Sequence, residues 1–134
     1  MGILIDTSIF IESERGRLDL TRHIAETEDD DVFVSVITVS ELLHGVHRAK
    51  DRAIRNKRLA TTEGLIDEFT VLEIDIPTAR THSRLWADLE SIGQIIGPHD
   101  LWLAATCLVH GLKIITANVR EFSRVEGLRV ETWQ

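Results

Sequence analysis

The stretch Gly2-Ile3-Leu4-Ile5-Asp6-Thr7-Ser8 decides how the rest of this chain is interpreted. Three consecutive large apolar residues end at a carboxylate, which two hydroxyl residues follow. A continuous apolar run of this kind is typical of a strand that is buried on both faces in a parallel sheet. Asp6 would then lie at the carboxyl end of the strand, where open α/β sheets bind their ligands. The same residues suit the cap of a following helix equally well, so the remaining sequence has to decide.

Composition indicates the broad class of the protein. The chain has 134 residues, of which 43% are hydrophobic and 28% are charged, as in ordinary globular proteins. This is the length of one domain, so we expect a single domain over residues 1–134. No apolar run is long enough to cross a bilayer and the N-terminus lacks a secretory signal pattern, so we expect a cytoplasmic protein without a membrane partner. The single cysteine, Cys107, has apolar neighbours and is expected to pack in the core.

Strands and helices alternate along the sequence. Short apolar or β-branched runs predict strands at the opening stretch and at residues 32–36, 71–74, 113–117 and 128–131. Helical patterns lie between them. One begins with a capping-box pattern at Thr38 and Glu41, and the most apolar one follows Asp100 and ends at Gly111. This alternation predicts an α/β fold, a three-layer α/β/α sandwich with a central parallel sheet of four to five strands.

Acidic residues follow strands or begin helices at four places, namely Asp6, Glu41, Asp100 and the segment 118–121. Each has a structural explanation, because carboxylates favour helix starts without any chemistry. Asp100, however, precedes a helix so apolar that most of it must be buried, which draws its carboxylate inward. Carboxylates that converge there repel one another unless a cation neutralises them. Mg²⁺ takes a few carboxylates and keeps several waters, and such a site supports phosphodiester hydrolysis.

Four motifs together resemble those of one family. They are Asp6-Thr7-Ser8, Ser40-Glu41-Leu42, Gly97-Pro98-His99-Asp100 with Leu103-Ala104-Ala105, and Thr116-Ala-Asn118-Val-Arg-Glu121-Phe122. In order and spacing, over nearly the whole chain, they are similar to the motifs of PIN-domain ribonucleases, and more narrowly of VapC-type toxins of toxin–antitoxin modules. The resemblance implies a Mg²⁺- or Mn²⁺-dependent endoribonuclease that cleaves structured RNA, often transfer RNA, and is inhibited by a small antitoxin protein. It also implies a sheet in which the first strand lies between the second and the fourth.

The same resemblance implies roles for individual residues. Asp6 and Asp100 would be the metal ligands, and Glu41 would complete the acidic pocket directly or through a metal-bound water. Asn118 matches the polar residue of the last motif. Glu121 stands where many relatives carry aspartate, so the longer side chain is expected to have an accessory role in metal binding.

Several polar residues beside the acidic motifs have alternative explanations. Thr7 or Ser8 would orient Asp6 by hydrogen bonding, although a hydroxyl here also suits a helix cap. His44 and His47 share a helix with Glu41, but residues at that spacing drift around a helix and no second ligand pair accompanies them. We therefore expect both histidines to be polar surface. His99 would lie at the rim of the pocket.

Surface patterns predict partners. Residues 48–58 carry six basic residues against one acid, although the chain has a net charge of −7. This basic segment would hold RNA phosphates, or else form a solvated helix face. Apolar helix residues exceed what a small core needs, and exposed apolar patches usually mark interfaces, so we expect a homodimer. The residues behind this expectation include Leu42, Leu43, Val46 and Trp86.

Two other functions compete with the ribonuclease. A catalytically silent PIN-like module would bind RNA or a partner protein, but it has no need for the set Asp6, Glu41 and Asp100. A phosphatase-like or receiver-like protein would use Asp6 as a nucleophile and would want a basic residue near the strand ends. Lys113 begins its strand at the opposite end. The sequence therefore favours the ribonuclease.

Overall fold

A parallel sheet of five strands lies at the centre of the computed structural model, which describes residues 2–27 and 29–134. The strands are β1 (Ile3–Ile5), β2 (Val32–Ser35), β3 (Thr70–Leu72), β4 (Lys113–Ile115) and β5 (Val130–Glu131). Their order is β3-β2-β1-β4-β5, and all neighbours are parallel. The first strand therefore lies between the second and the fourth, as the resemblance implied. The domain predicted over 1–134 includes Met1 and Glu28, which lie outside the described residues, and that boundary stays a prediction.

Seven helices cover the two faces of the sheet in the described part of the chain. They are α1 (Thr7–Glu14), α2 (Leu20–Ala25), α3 (Val36–His47), α4 (Arg52–Ile66), α5 (Ile76–Ser91), α6 (Pro98–His110) and α7 (Val119–Phe122). Successive side chains of a strand point to opposite faces. Leu4 accordingly packs with α5 and α6, whereas Ile3 and Ile5 pack with α1 and α2. The predicted three-layer sandwich is confirmed.

The central position of β1 follows from its unbroken apolar sequence. Its three residues are at most 1% exposed, since a strand paired on both edges and covered on both faces leaves no surface for a polar side chain. Ile5 is in register with Ile115 of β4. The next residues, Asp6 and Thr116, therefore emerge side by side at the carboxyl edge. The strand order reverses between β1 and β4, and such switch points are where open α/β sheets bind ligands.

The start of α3 differs from the prediction. The capping box at Thr38 and Glu41 is wrong, because the helix begins at Val36 and its N-cap is Ser35. The Ser35 hydroxyl accepts a hydrogen bond from Ile37 N–H at 3.0 Å. Ser35 ends β2 with an extended backbone and already carries the oxygen that a cap requires. Thr38 is consequently buried inside the first turn, and Glu41 lies in the second turn.

Two predictions about α6 are confirmed. Gly111 ends the helix with a φ of 66°, in the left-handed region that favours glycine. Cys107 is fully buried, and that burial raises the pKa of its thiol, so the side chain packs as a small apolar group. None of the helices described has the length and apolar character needed to span a bilayer.

Candidate active site

The candidate site lies at the carboxyl edge of β1, β2 and β4. Asp6 directly follows β1, Glu41 projects from α3 after β2, Asp100 lies in the first turn of α6, and Glu121 lies in α7 after β4. Glu121 Oε1 and Asp100 Oδ2 lie 3.6 Å and 3.7 Å from the point where a Cβ atom of Gly97 would be. Burial, followed by the negative charges of Asp6, Glu121 and Glu41, raises the pKa of Asp100 to about 7. Four predicted carboxylates thus meet at one place in the fold.

Two hydroxyl groups hold Asp6 in a single orientation. Ser8 Oγ donates to Asp6 Oδ2 at 2.6 Å, and Thr116 Oγ1 donates to the same oxygen at 2.7 Å. Ser8 accepts a hydrogen bond from Ala117 N–H, and Thr116 accepts one from Asn118 N–H, each at 2.9 Å. Because an ionised carboxylate can only accept hydrogen bonds, both hydroxyl protons are directed to Asp6. The carboxylate is thereby fixed to the loop that follows β4.

Burial and hydrogen bonding act in opposite directions on Asp6. Only 2% of the residue is exposed, and burial raises the pKa of its carboxyl group. The hydrogen bonds from Ser8, Thr116 and the Thr7 backbone lower that pKa, while the charge of Glu41 raises it. The net direction is upward. Asp6 is the N-cap residue of α1, but its side chain makes no capping hydrogen bond of the usual kind to that helix.

Glu41 is held by a threonine and a histidine. Thr7 Oγ1 lies 2.8 Å from Glu41 Oε1 and 3.0 Å from Thr38 Oγ1. A carboxylate can only accept, so Thr7 directs its proton to Glu41. His99 Nδ1 lies 3.4 Å from Glu41 Oε2, which places His99 at the rim of the pocket as predicted. Of the two hydroxyl residues expected to orient Asp6, Ser8 contacts its carboxylate through the side chain and Thr7 contacts Glu41 instead.

Asp100 and Glu121 meet at the start of α6. The N-cap of this helix is Gly97, and no side chain caps it, so Asp100 is not a capping residue. Glu121 Oε1 accepts a hydrogen bond from Gly97 N–H at 2.7 Å. The Asp100 side chain lies beside the same glycine, and the negative charge of Glu121 is one of the causes that raise the pKa of Asp100.

Three of the polar residues discussed from the sequence remain at the periphery. The Asn118 side chain is exposed, and within the described residues this residue joins the site through its backbone N–H to Thr116. His44 and His47 are exposed at the end of α3, as expected for polar surface. Sequence reasoning missed Thr116 itself. Its signal was its position at the end of the strand that pairs with β1, one residue beyond Ile115.

The carboxylates fit a hard divalent cation in their chemistry. All are oxygen donors, and a cation would relieve the mutual repulsion that, together with the larger effect of burial, raises the pKa of Asp100. As placed, no group of three or more His, Cys, Asp or Glu side chains within residues 2–27 and 29–134 is arranged to hold an ion. Glu41 and Glu121 accept hydrogen bonds from other protein groups instead. One or two carboxylates with waters, the usual coordination of Mg²⁺, is the arrangement compatible with this geometry.

A groove connects the acidic pocket with the basic helix α4. It has a volume of about 500 Å³ and runs between α1, α3 and α4. Thr7 and Glu41 contribute to its lining, and so do Lys57 and Arg58. Positive side chains thus share one depression with a carboxylate of the candidate site, an arrangement suited to a polyanion whose phosphates extend beyond the site.

Comparison with known proteins gives consistent matches along the chain. Residues 3–128 match the family model of the PIN domain. Ribonuclease VapC1 of Rickettsia felis is 38% identical over 134 residues, which are 98% of this chain and 96% of that protein. The tRNA(fMet)-specific endonuclease VapC of Shigella flexneri is 31% identical over 99% of this chain and 98% of its own. The crystal structure of DNA-bound VapBC from Salmonella typhimurium superposes with a TM-score of 0.90 at 27% identity, covering 100% of this chain and 99% of that one.

Proposed function

This chain belongs to the PIN domain family, and on that premise we propose that it is a divalent-metal-dependent endoribonuclease toxin. Its substrate would be structured RNA, with transfer RNA as the first candidate, and its place of action the cytoplasm. The observation that carries the proposal is the meeting of Asp6, Glu41, Asp100 and Glu121 at the edge of the sheet. The similarity to a ribonuclease and to a tRNA(fMet)-specific endonuclease supports an RNA substrate.

We assign Asp6 and Asp100 as the ligands of Mg²⁺ or Mn²⁺. Glu41 would bind directly or through a water, and Glu121 would have an accessory role. When bound, the ion supplies polarisation of the phosphoryl oxygen and a lower pKa for the attacking water. The chain's own contribution is to hold the buried Asp6 and the half-buried Asp100 at one edge of the sheet.

The hydroxyl groups next to Asp6 are positioning groups in this proposal. Ser8 and Thr116 hold Asp6 Oδ2, and the Asn118 backbone holds Thr116 in turn. Their hydrogen bonds lower the pKa of Asp6 against the effect of burial, which favours the ionised form that a cation requires.

Protonation of Asp100 would govern when the site binds metal. With a pKa of about 7, this carboxyl group is largely protonated in mildly acidic solution. A proton competes with a cation for the same oxygen, so metal affinity should rise with pH until the group is ionised. Cleavage at low metal concentration should rise over the same interval.

The basic helix would hold RNA phosphates beside the site. Two of its arginines already have partners in the protein: Arg58 Nη2 lies 3.4 Å from Glu14 Oε1, and Arg55 donates to the Ala49 carbonyl at 3.2 Å. Lys57 lines the groove next to Arg58 and makes no ion pair with a described residue. We therefore propose Lys57 as the principal phosphate contact of this helix.

Two protein partners belong to the proposal. An antitoxin is implied by the resemblance to VapC-type toxins, and the similar structure from Salmonella typhimurium is of VapBC rather than of VapC alone. For the homodimer, one expected surface residue is corrected: Val46 is buried at 2% exposure because α4 covers that side of α3. Trp86, by contrast, is 52% exposed beside an apolar cavity of about 420 Å³ that Trp102 and Ile95 also line. We propose this surface for the second copy.

The test is cleavage of transfer RNA by the purified protein with Mg²⁺, with Mn²⁺ and with EDTA. Cleavage should require a metal and should be lost in Asp6→Asn and in Asp100→Asn. Asp88→Asn, which changes an exposed carboxylate of α5, is the matched control and should cleave as the wild type does. Full activity of either site variant would refute the metal-ligand assignment. RNA binding without cleavage under every condition would indicate a catalytically silent module.

A further inference from the structure

The short helix α7 and the turn after it are joined to the segment that precedes α6 by two long-range hydrogen bonds. Glu121 Oε1 accepts from Gly97 N–H at 2.7 Å, and Arg124 Nη1 donates to the Ile95 carbonyl at 2.9 Å. Phe122 is fully buried in the core and anchors α7 between these two side chains. The loop before α6 is therefore held in place by Glu121 and Arg124, which lie outside α6.

The bond to Gly97 replaces a contact that helices usually make within themselves. In a capping box the side chain at the third helical position accepts from the N-cap N–H. The N-cap of α6 is Gly97 and the third helical position is Asp100, yet the acceptor is Glu121, 24 residues along the chain. Asp100 is thereby released from capping, and its carboxylate is available to the pocket.

Gly97, Asp100 and Glu121 are packed close together. A Cβ atom added at Gly97 would lie 3.6 Å from Glu121 Oε1 and 3.7 Å from Asp100 Oδ2. Gly97 and Asp100 belong to the same helical turn, so a displacement of the Gly97 backbone carries Asp100 with it. Any group that fixes Gly97 consequently fixes the carboxylate three residues later.

We propose that Glu121 is a positioning residue, which places Asp100 by holding the Gly97 N–H at the start of α6 and is not itself a ligand of the ion. The hydrogen bond from Arg124 to the Ile95 carbonyl holds the same loop, and we call these two hydrogen bonds the two arms of a clamp. The importance of Asp100 rests on the proposed function, whereas the clamp itself is a property of the fold. In this proposal the accessory role of Glu121 is to hold the Gly97 N–H, which positions Asp100.

Variants at the two arms separate this role from metal ligation. Glu121→Gln keeps an Oε1 acceptor for Gly97 N–H but removes the charge, and Glu121→Ala removes both. Arg124→Ala breaks the other arm, and Arg120→Ala removes a charge from α7 without removing a hydrogen bond that the structure shows. Mn²⁺ affinity is measured by electron paramagnetic resonance, and amide exchange of Gly97 is measured by NMR without metal.

The clamp predicts different results for the four variants. Glu121→Ala should raise the Mn²⁺ dissociation constant about tenfold, the size typical for groups that orient metal ligands, and should accelerate Gly97 exchange. Glu121→Gln should restore both quantities nearly to wild type. Arg124→Ala should weaken Mn²⁺ binding, although loss of a positive charge would by itself strengthen it. Arg120→Ala should bind Mn²⁺ at least as tightly as wild type.

Two results would overturn the proposal. Equal loss of Mn²⁺ affinity in Glu121→Gln and Glu121→Ala would show that the charge matters, as for a ligand. Unchanged Gly97 exchange in Glu121→Ala would show that no clamp operates. If the wild type binds no Mn²⁺, the proposed metal site fails, and the exchange measurement still decides the clamp.

Discussion

Replacing Asp100 by asparagine should stabilise the metal-free protein at neutral and alkaline pH. Burial, and then the charges of Asp6, Glu121 and Glu41, raise the pKa of Asp100 from 3.8 to about 7. The folded protein therefore binds this proton more tightly than the unfolded chain does. The stability gained from the proton is complete below pH 3.8 and is lost as the pH rises to about 7. At about 1.4 kcal/mol per pH unit, roughly 3 kcal/mol is lost above pH 5, an upper bound because solvent screens part of the pocket.

Urea unfolding of wild type and Asp100→Asn at pH 5 and pH 8, in EDTA, measures this effect. Asparagine has no charge to titrate, so the free energy of unfolding should shift in favour of the variant by up to about 3 kcal/mol between the two pH values. The exposed control Asp88→Asn should show no such shift. A difference between Asp100→Asn and wild type that does not change with pH would refute the reasoning. Saturating Mn²⁺ should restore the stability that the wild type loses at pH 8. A ligand at a hundred times its Kd stabilises the folded state by about 2.7 kcal/mol.

Three further predictions concern the surroundings of the site. Thr116→Val should raise the pKa of Asp6 further and move the acidic limb of the cleavage profile to higher pH, whereas an unchanged profile would exclude an orienting role. Lys57→Ala should reduce the slope of log affinity for RNA against log salt by about one, measured by fluorescence anisotropy, and Arg58→Ala should reduce it less because Arg58 is already paired. Trp86→Ser should convert a dimer to a monomer in light scattering, and a wild type that is monomeric at micromolar concentration would contradict the proposed interface.

The architecture could be predicted because its signals are local and repeated. A strand such as Ile3–Ile5, with no polar residue, is typical of a sheet that is covered by helices on both faces. The alternation of strands and helices along the chain then limits the sheet to a small number of possible topologies. The four acidic positions could be predicted for the same reason, since each stands immediately beyond a strand or near a helix start. Phe122, the aromatic residue after the last of these positions, is fully buried in the core.

The contacts within the site depend on distant partners and could not be predicted. Thr7 and Ser8 are adjacent and chemically alike, yet one contacts Glu41 and the other Asp6. The two residues lie in the first turn of α1, where the Thr7 side chain faces α3 and the Ser8 side chain faces the loop after β4. The bond from Gly97 to Glu121 spans 24 residues and has no local pattern. The start of α3 was missed for a different reason, because Ser35 and Thr38 are competing caps and propensity alone ranks them closely.

The hydrogen bond between Thr116 and Asp6 joins residues that are 110 positions apart, and this separation sets when the candidate site can be assembled during translation. The ribosome delivers Asp6 and Ser8 well before it delivers β4 and Thr116, whose hydroxyl group also orients Asp6. A nascent chain released before residue 116 has β1 but lacks the neighbour that completes its carboxyl edge. Contacts of such high contact order form late, after the local helices. Translation products that stop before Thr116 would therefore carry no assembled candidate site, and the proposed activity would come only from chains that extend past Thr116.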